Sequence, residues 1–120
     1  MRREHVGALR TREAEVFLDA LGRVTDAARD EIGAPKDTPL IVADASDPAS
    51  VKAMVSRAKA ILTTVGPYQL YGSDLVAECA AQGTDYLDLS GEPNWMAEMI
   101  GKHEAAAKQS GARILFSCGF

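Results

Sequence analysis

The chain has 120 residues, of which 47% are apolar and 25% are charged, and its formal net charge is −4. These values are typical of one folded domain with a single core. The acidic balance argues against a nucleic-acid partner, and no apolar run is long enough to span a membrane. The N-terminus lacks the apolar segment of a signal peptide, and Cys79 and Cys118 lack metal-like spacing. A cytoplasmic protein with reduced thiols is therefore predicted.

The first forty residues give a weaker pattern than the rest of the chain. Nothing before Glu15 has the composition of a strong strand. Residues 15–23 (EVFLDALGR) are compatible with a helix or with a strand through residues 16–21. Residues 24–33 (VTDAARDEIG) predict a short helix that ends at Gly33, because glycine readily takes the left-handed conformation that closes helices.

Strands and helices alternate from residue 39 onward. Runs of apolar and β-branched residues predict four buried strands, at residues 39–44 (PLIVAD), 60–65 (AILTTV), 85–90 (DYLDLS) and 112–118 (ARILFSC). Such alternation indicates β-α-β units. We therefore predict an α/β fold with a doubly wound parallel sheet and helices on both faces.

The helices between these strands have recognisable beginnings and ends. Asp47 followed by Pro48 predicts an N-cap with proline in the first helical position. Ser73 is predicted to cap the second helix, which Gly83 ends. The third helix is expected to open at Pro93 and to end at Gly111, with Trp95, Met96 and Met99 as core or lid residues, His103 on its apolar face, and Cys118 buried beyond it.

Ligands of doubly wound sheets bind outside the carboxyl ends of the strands. The predicted order places Asp44, residues 66–68 and residues 90–92 on this edge. Gly66 and Pro67 in the stretch TTVGPYQLYGSDL predict either a tight turn or a backbone that approaches a ligand closely, because glycine lacks a Cβ and proline stiffens the chain. Tyr68 adds a flat ring and a hydroxyl.

Two charged residues have both a structural and a functional interpretation, and a third has a structural one. Asp44 either caps its own turn or accepts a hydrogen bond from an adenine amino group. Arg23 is either solvated or paired with a ribose 2′-phosphate. Glu92 is explained by capping of the helix that follows it and by the dipole of that helix.

The segments VGPYQLYG, GTDYLDLSGEP and SCGF together resemble the saccharopine dehydrogenase-like oxidoreductases, and within them the mycobacterial-type trans-acting enoyl reductases. The resemblance covers residues 40–120 well and residues 21–33 loosely. It implies a Rossmann domain that binds a nicotinamide dinucleotide, usually NADPH, followed by a substrate domain. By this resemblance the cofactor-binding residues are Arg23, Asp44, Val65, Gly66, Pro67 and Tyr68.

The sequence departs from the family pattern in two ways, and both bear on whether the chain can bind the cofactor. The N-terminal sixteen residues contain Gly7 as their only glycine, so the first strand and the glycine-rich phosphate loop are not recognisable. The family continues into a substrate domain after the segment that SCGF matches, and no second domain is expected within these 120 residues. We therefore expect residues 1–120 to form a partial Rossmann-like domain, with residues 1–20 divergent, in which NADP binding is weak or lost and the isolated chain is inactive.

A missing first strand has a structural consequence, because this strand lies at the centre of the usual 3-2-1-4-5-6 sheet. Its loss exposes two sheet edges. Either the N-terminal segment substitutes, or the sheet closes differently, or a second copy or partner chain fills the gap. Two other functions stay open: a non-catalytic remnant or interaction domain that keeps only the fold, and an unrelated flavodoxin-like binding domain.

Overall fold

The computed structural model describes residues 7–10, 15–18, 29–31, 33, 35–41 and 43–119. Within these ranges the strands are β1 (Gly7–Arg10), β2 (Glu15–Leu18), β3 (Leu40–Ile41), β4 (Ala60–Thr63), β5 (Asp85–Asp88) and β6 (Ile114–Leu115). The helices are α1 (Pro48–Val55), α2 (Tyr68–Tyr71), α3 (Ser73–Gln82) and α4 (Pro93–Ser110). Residues 29–31 are also helical, and Gly33 follows with a φ of 71°.

The described strands form one sheet in the order β3-β2-β1-β4-β5-β6. Strands β4, β5 and β6 are parallel, as are β2 and β3. The α/β class and a three-stranded parallel sheet are therefore confirmed. The sheet as a whole is mixed, because β1 runs antiparallel to both of its neighbours. The doubly wound arrangement stays a prediction.

Strand β1 was not predicted, and it lies where the missing first strand would lie. It pairs with β2 on one side, with Gly7 opposite Leu18, and with β4 on the other, with Gly7 opposite Thr63. The N-terminal segment thus substitutes for the first strand, in the reverse direction. The sequence GALR has little β propensity of its own, and pairing with a strand on each side overrides that local preference. Strand β2 likewise resolves the ambiguity at residues 15–18.

Most helix ends lie where the capping residues in the sequence predict them. The Asp47 carboxylate accepts a hydrogen bond from the backbone N–H of Ala49 at 3.1 Å, with Pro48 at the start of α1. Gly83 and Gly111 end α3 and α4 with φ of 75° and 83°. The prediction for Ser73 was wrong: Gly72 occupies the N-cap of α3.

The core lies between the sheet and helices α1, α3 and α4. In β4 and β5 the residues facing these helices are buried, including Ile61 and Tyr86, which have no exposed surface. Trp95 and Met99 of α4 are buried as predicted, while Met96 is half-buried. The prediction that Cys118 is buried was wrong, because it follows β6 in an exposed loop. Among the described helices, none is long and apolar enough to cross a bilayer.

Candidate functional site

The carboxyl ends of β3, β4, β5 and β6 meet at one edge of the sheet, since these strands all run in the same direction. We call the residues that follow these ends the strand-end edge: Asp44, residues 64–68, residues 89–92 and residues 117–119. The predicted placement of Asp44 and Gly66 on the same edge is therefore confirmed. This is the edge at which parallel α/β sheets hold their ligands.

Gly66 and Pro67 form the exposed part of the loop after β4, while Val65 is buried behind them. They are joined by a cis peptide bond. A Cβ built on Gly66 would meet only the ring of Tyr68, at 3.8 Å, which is ordinary van der Waals contact. The described part of the chain therefore does not itself require glycine at this position. A requirement for glycine here would come from something outside the described residues.

Gly66→Ala is expected to leave the free energy of unfolding unchanged or slightly raised, by up to about 1 kcal/mol, because alanine restricts the unfolded chain. Gly72→Ala is the matched control at the other end of α2. A Cβ on Gly72 would lie 3.0 Å from the Trp95 ring and 3.0 Å from the carbonyl oxygen of Tyr68, so it should cost about 1–3 kcal/mol. Urea unfolding of the two variants measures both values. Equal destabilisation would show that Gly66 serves internal packing.

Tyr68 lies at the strand-end edge, but the protein itself engages both its ring and its hydroxyl. The side chain is 5% exposed, and the ring packs against Trp95 with centroids 5.6 Å apart. The hydroxyl donates to the carbonyl of Thr63 and accepts from the N–H of Leu89, both at 3.2 Å. Burial raises the pKa of the Tyr68 hydroxyl, so it stays protonated at neutral pH. Tyr68 thereby joins the loops after β4 and β5.

Glu92 makes a contact that the sequence analysis missed. It occupies the N-cap position of α4, but its side chain does not cap that helix. The carboxylate instead accepts hydrogen bonds from the backbone N–H of Tyr68 at 2.6 Å and of Gln69 at 3.3 Å. The interpretation of Glu92 as a cap of its own helix was therefore wrong. The partners lie 24 and 23 residues earlier in the chain, so no local pattern reveals them.

Asp88 is a second residue that the sequence analysis did not single out, although it has no exposed surface. Its carboxylate accepts hydrogen bonds from the Tyr86 hydroxyl at 2.8 Å, the N–H of Ser90 at 3.0 Å and the N–H of Ser117 at 2.8 Å. These bonds compensate a charge that would otherwise be costly to bury, and they join the loops after β5 and β6. Burial, reinforced by the charge of Asp88, raises the pKa of Tyr86. The alternation of YLDL, which puts Asp88 on the same face as Tyr86, was the available signal.

Asp44 and Arg23 have different outcomes. The Asp44 carboxylate accepts two hydrogen bonds within its own turn, from the N–H of Ser46 at 2.8 Å and from its hydroxyl at 2.6 Å. The backbone N–H of Asp44 donates to the Ser50 hydroxyl at 2.9 Å. These bonds fit the interpretation of Asp44 as a turn cap, and its contact with adenine stays a prediction. Arg23, with the LGR segment that carries it, lies outside the described residues.

Two clefts in the described part of the chain lie away from the loops after β3, β4 and β5. One, of about 570 Å³, is at the amino ends of the strands and is lined by residues that include Lys59, Thr84 and Arg113. The other, of about 300 Å³, lies between α4 and β6 and is lined by residues that include Met99 and Phe116. The larger cleft is at the end of the sheet opposite to that at which ligands of such folds bind, so volume alone does not identify the site.

The chain is similar to curated proteins from mycobacteria that are named trans-acting enoyl reductases. One from Mycobacterium ulcerans is 52% identical over 95 residues, which cover 78% of this chain and 23% of the relative. One from Mycobacterium leprae is 54% identical over 85 residues, or 71% of this chain and 20% of the relative. One from Mycobacterium tuberculosis strain H37Rv is 52% identical over 84 residues, or 70% of this chain and 20% of the relative.

The chain thus spans less than a quarter of the length of these relatives. No protein-family model matches it. The predicted resemblance to trans-acting enoyl reductases is confirmed at the level of sequence identity, while the wider relation to saccharopine dehydrogenase-like oxidoreductases stays a prediction. About three quarters of this chain is homologous to proteins named trans-acting enoyl reductases.

Proposed function

We propose that this chain is the nicotinamide-dinucleotide-binding part of a trans-acting enoyl reductase, an oxidoreductase, with NADP as its cofactor. The observation that carries the proposal is the identity of about 50% to proteins of that name over most of the chain. In the proposal the strand-end edge faces the dinucleotide. When bound, the cofactor supplies the hydride, and the residues of this chain bind and orient it.

The loop after β4 fits the role of a wall for the cofactor. Gly66 and Pro67 are exposed, and Gly66 presents backbone without a Cβ in front of the buried Val65. A flat group can approach such a surface closely. Asp44 is proposed to lie nearer the adenine end, where its backbone and turn border the same edge, and Arg23 is proposed to pair with the 2′-phosphate of NADP.

The chain offers few hydrogen-bond donors that could bind the phosphate groups of the cofactor. A glycine-rich loop is not recognisable within residues 1–120, and the N–H groups of Tyr68 and Gln69 already donate to Glu92. A charge-assisted hydrogen bond is worth about 1.5–3 kcal/mol, so losing two costs about 3–6 kcal/mol. Since 1.4 kcal/mol is a factor of about ten in affinity, a micromolar site would weaken to about the millimolar range.

Equilibrium titration of the chain with NADPH should therefore give a dissociation constant of about 1 mM or more. Titration calorimetry with several millimolar cofactor measures it, and a full-length relative serves as the control. A constant near or below about 1 μM would show that the N-terminal segment rebuilds a phosphate site. That result would contradict the expected weakness while supporting a dinucleotide-binding function.

The isolated chain is expected not to oxidise NADPH with any fatty enoyl or amino-acid-derived substrate. Hydride transfer needs a positioned nicotinamide together with a substrate pocket, and the matched segment corresponds to less than a quarter of each relative. The near-ultraviolet absorbance of NADPH reports its consumption, with a full-length relative assayed in parallel. Measurable turnover by the 120-residue chain would contradict this expectation.

A second candidate function is a non-catalytic interaction domain that keeps the fold and has lost the cofactor. It is favoured by the engagement of polar groups at the edge, since Tyr68, Glu92 and Asp44 all hydrogen-bond within the protein. Absence of any NADPH binding at high millimolar concentration would favour this candidate.

The relatives are named as enzymes that act in trans. We propose that a partner or a second copy of this chain binds at the outer edge of β3 or of β6. We also propose that the protein acts in the cytoplasm.

A further inference from the structure

We propose that Glu92 is a positioning residue of the dinucleotide site, whose carboxylate fixes the Gly66–Pro67 segment in the place where the cofactor lies against it. The inference rests on the proposed function. It adds a residue outside the set predicted to bind the cofactor, and it assigns to that residue a role that acts through the backbone of another loop.

The Glu92 carboxylate contacts the backbone directly after the Gly66–Pro67 segment. One carboxylate oxygen of Glu92 accepts from the N–H of Tyr68 at 2.6 Å, and the other accepts from the N–H of Gln69 at 3.3 Å. Pro67 has no N–H, so these are the first two amide donors after Gly66. Hydrogen bonds from backbone amides to a carboxylate are among the stronger ones in proteins. The Gly66–Pro67 segment is therefore tethered directly on its carboxyl side.

The carboxylate can hold this loop because Glu92 is itself held by regular structure. Its N–H donates to the Ser90 hydroxyl at 3.2 Å, and the N–H of Ser90 donates to the buried carboxylate of Asp88 at 3.0 Å. Its carbonyl oxygen accepts from the N–H of Met96 at 3.0 Å, where α4 begins. The end of β5 and the start of α4 thus set the position of the Glu92 side chain.

A second tie between the same loops keeps variants of Glu92 folded. The buried hydroxyl of Tyr68 bridges the carbonyl of Thr63 and the N–H of Leu89. This tie fixes the Tyr68 ring, whereas Glu92 fixes the backbone. Removing the Glu92 carboxylate should therefore release the Gly66–Pro67 segment without unfolding the domain.

Whether NADPH binds more weakly or more tightly to a Glu92 variant distinguishes a positioning role of Glu92 from an effect of its negative charge. A carboxylate at the strand-end edge repels the phosphates of NADPH, so if charge dominated, any removal of the charge would strengthen binding. If positioning dominates, Glu92→Ala weakens binding, while Glu92→Gln, which retains one amide acceptor oxygen, preserves most of it. Glu98→Ala is the matched control. Glu98 is an exposed glutamate of α4, the helix that begins after Glu92, and its carboxylate pairs with Lys102.

The experiment follows the backbone amide shift of Gly66 by NMR while NADPH is added to the wild-type chain and to the three variants. Below saturation, the initial slope of this shift is inversely proportional to the dissociation constant. We expect Glu92→Ala to reduce the slope about tenfold, Glu92→Gln about twofold, and Glu98→Ala not at all. Before cofactor is added, the amide protons of Tyr68 and Gln69 should exchange with solvent faster in Glu92→Ala than in the wild-type chain.

The failures of the two proposals are distinguishable. A normal wild-type response together with an equal or steeper slope in Glu92→Ala overturns the positioning role and leaves the proposed function standing. A Glu92→Gln slope as low as that of Glu92→Ala also overturns it, because the retained acceptor would then have no effect. Absence of any Gly66 response in the wild-type chain overturns the proposed function, and the positioning role falls with it.

Discussion

Replacing Trp95 by alanine is expected to lower the free energy of unfolding by about 3–5 kcal/mol. The side chain is 4% exposed and joins three parts of the molecule. Its ring packs against Tyr68 and, edge-to-face, against Phe116 at a centroid distance of 5.5 Å, and its Nε1 donates to the Ser73 hydroxyl at 3.0 Å. A single domain has only about 5–15 kcal/mol of stability in total, so much of the variant should be close to unfolding.

Urea unfolding followed by circular dichroism measures this loss, since Trp95 is the only tryptophan and its fluorescence is absent from the variant. Trp95→Phe is the control. It keeps an aromatic ring but removes the hydrogen bond to Ser73, and its cost should be well below that of the alanine variant. A loss under about 1 kcal/mol for Trp95→Ala would show that the ring is not a central part of the core.

Replacing Gly83 by alanine is expected to cost about 2–5 kcal/mol, for two separate reasons. Gly83 has a φ of 75°, and a left-handed conformation costs an L-residue about 1–2 kcal/mol. A Cβ at this position would also lie 2.9 Å from the backbone oxygen of Ser110, the last residue of α4. Backbone cannot move away as easily as a side chain, so this overlap adds about 1–3 kcal/mol.

Gly111→Ala isolates the first of these two costs. Gly111 ends α4 with a φ of 83°, but a Cβ there would have no neighbour within 4 Å among the residues that the structure describes. This variant should therefore lose only about 1–2 kcal/mol. The difference between the two variants in urea unfolding measures the packing of α3 against the end of α4. Equal losses would contradict the close approach of Gly83 to Ser110.

Local chemistry explains which parts of the fold the sequence predicts. The Asp47–Pro48 start of α1 and the glycine ends of α3 and α4 depend on residues within one helical turn, and these predictions are confirmed. Ser73 shows the limit of the same reasoning. Its hydroxyl accepts a hydrogen bond from Trp95, which lies 22 residues later, so a distant partner replaces the predicted cap.

The features that could not be predicted all depend on distant parts of the chain. Strand β1 has little preference for a strand in its own four residues, and it is specified by the strands on either side of it. Glu92 and Asp88 have the sequence appearance of loop and strand residues. Their roles come from partners that lie more than twenty residues away: Tyr68 and Gln69 for Glu92, and Ser117 for Asp88.

Of the predicted site, the placement of Asp44 and Gly66 follows from strand direction alone, so the sequence is sufficient for it. The surroundings of Tyr68 could not be predicted from the sequence, because a tyrosine in a Gly-Pro loop can face either solvent or the core. Packing against Trp95 and the hydroxyl contacts to Thr63, at the end of β4, and to Leu89, after β5, turn the side chain inward. The cofactor contacts of all six predicted residues stay predictions.

Intermolecular nuclear Overhauser effects between NADPH and the chain test most directly whether the strand-end edge faces a nicotinamide dinucleotide. Weak binding with rapid exchange suits this measurement. We expect effects between cofactor protons and the Hα protons of Gly66 or the ring protons of Pro67. Effects confined to residues at the amino ends of the strands, such as Lys59 and Arg113, or no effects at any site, would contradict it.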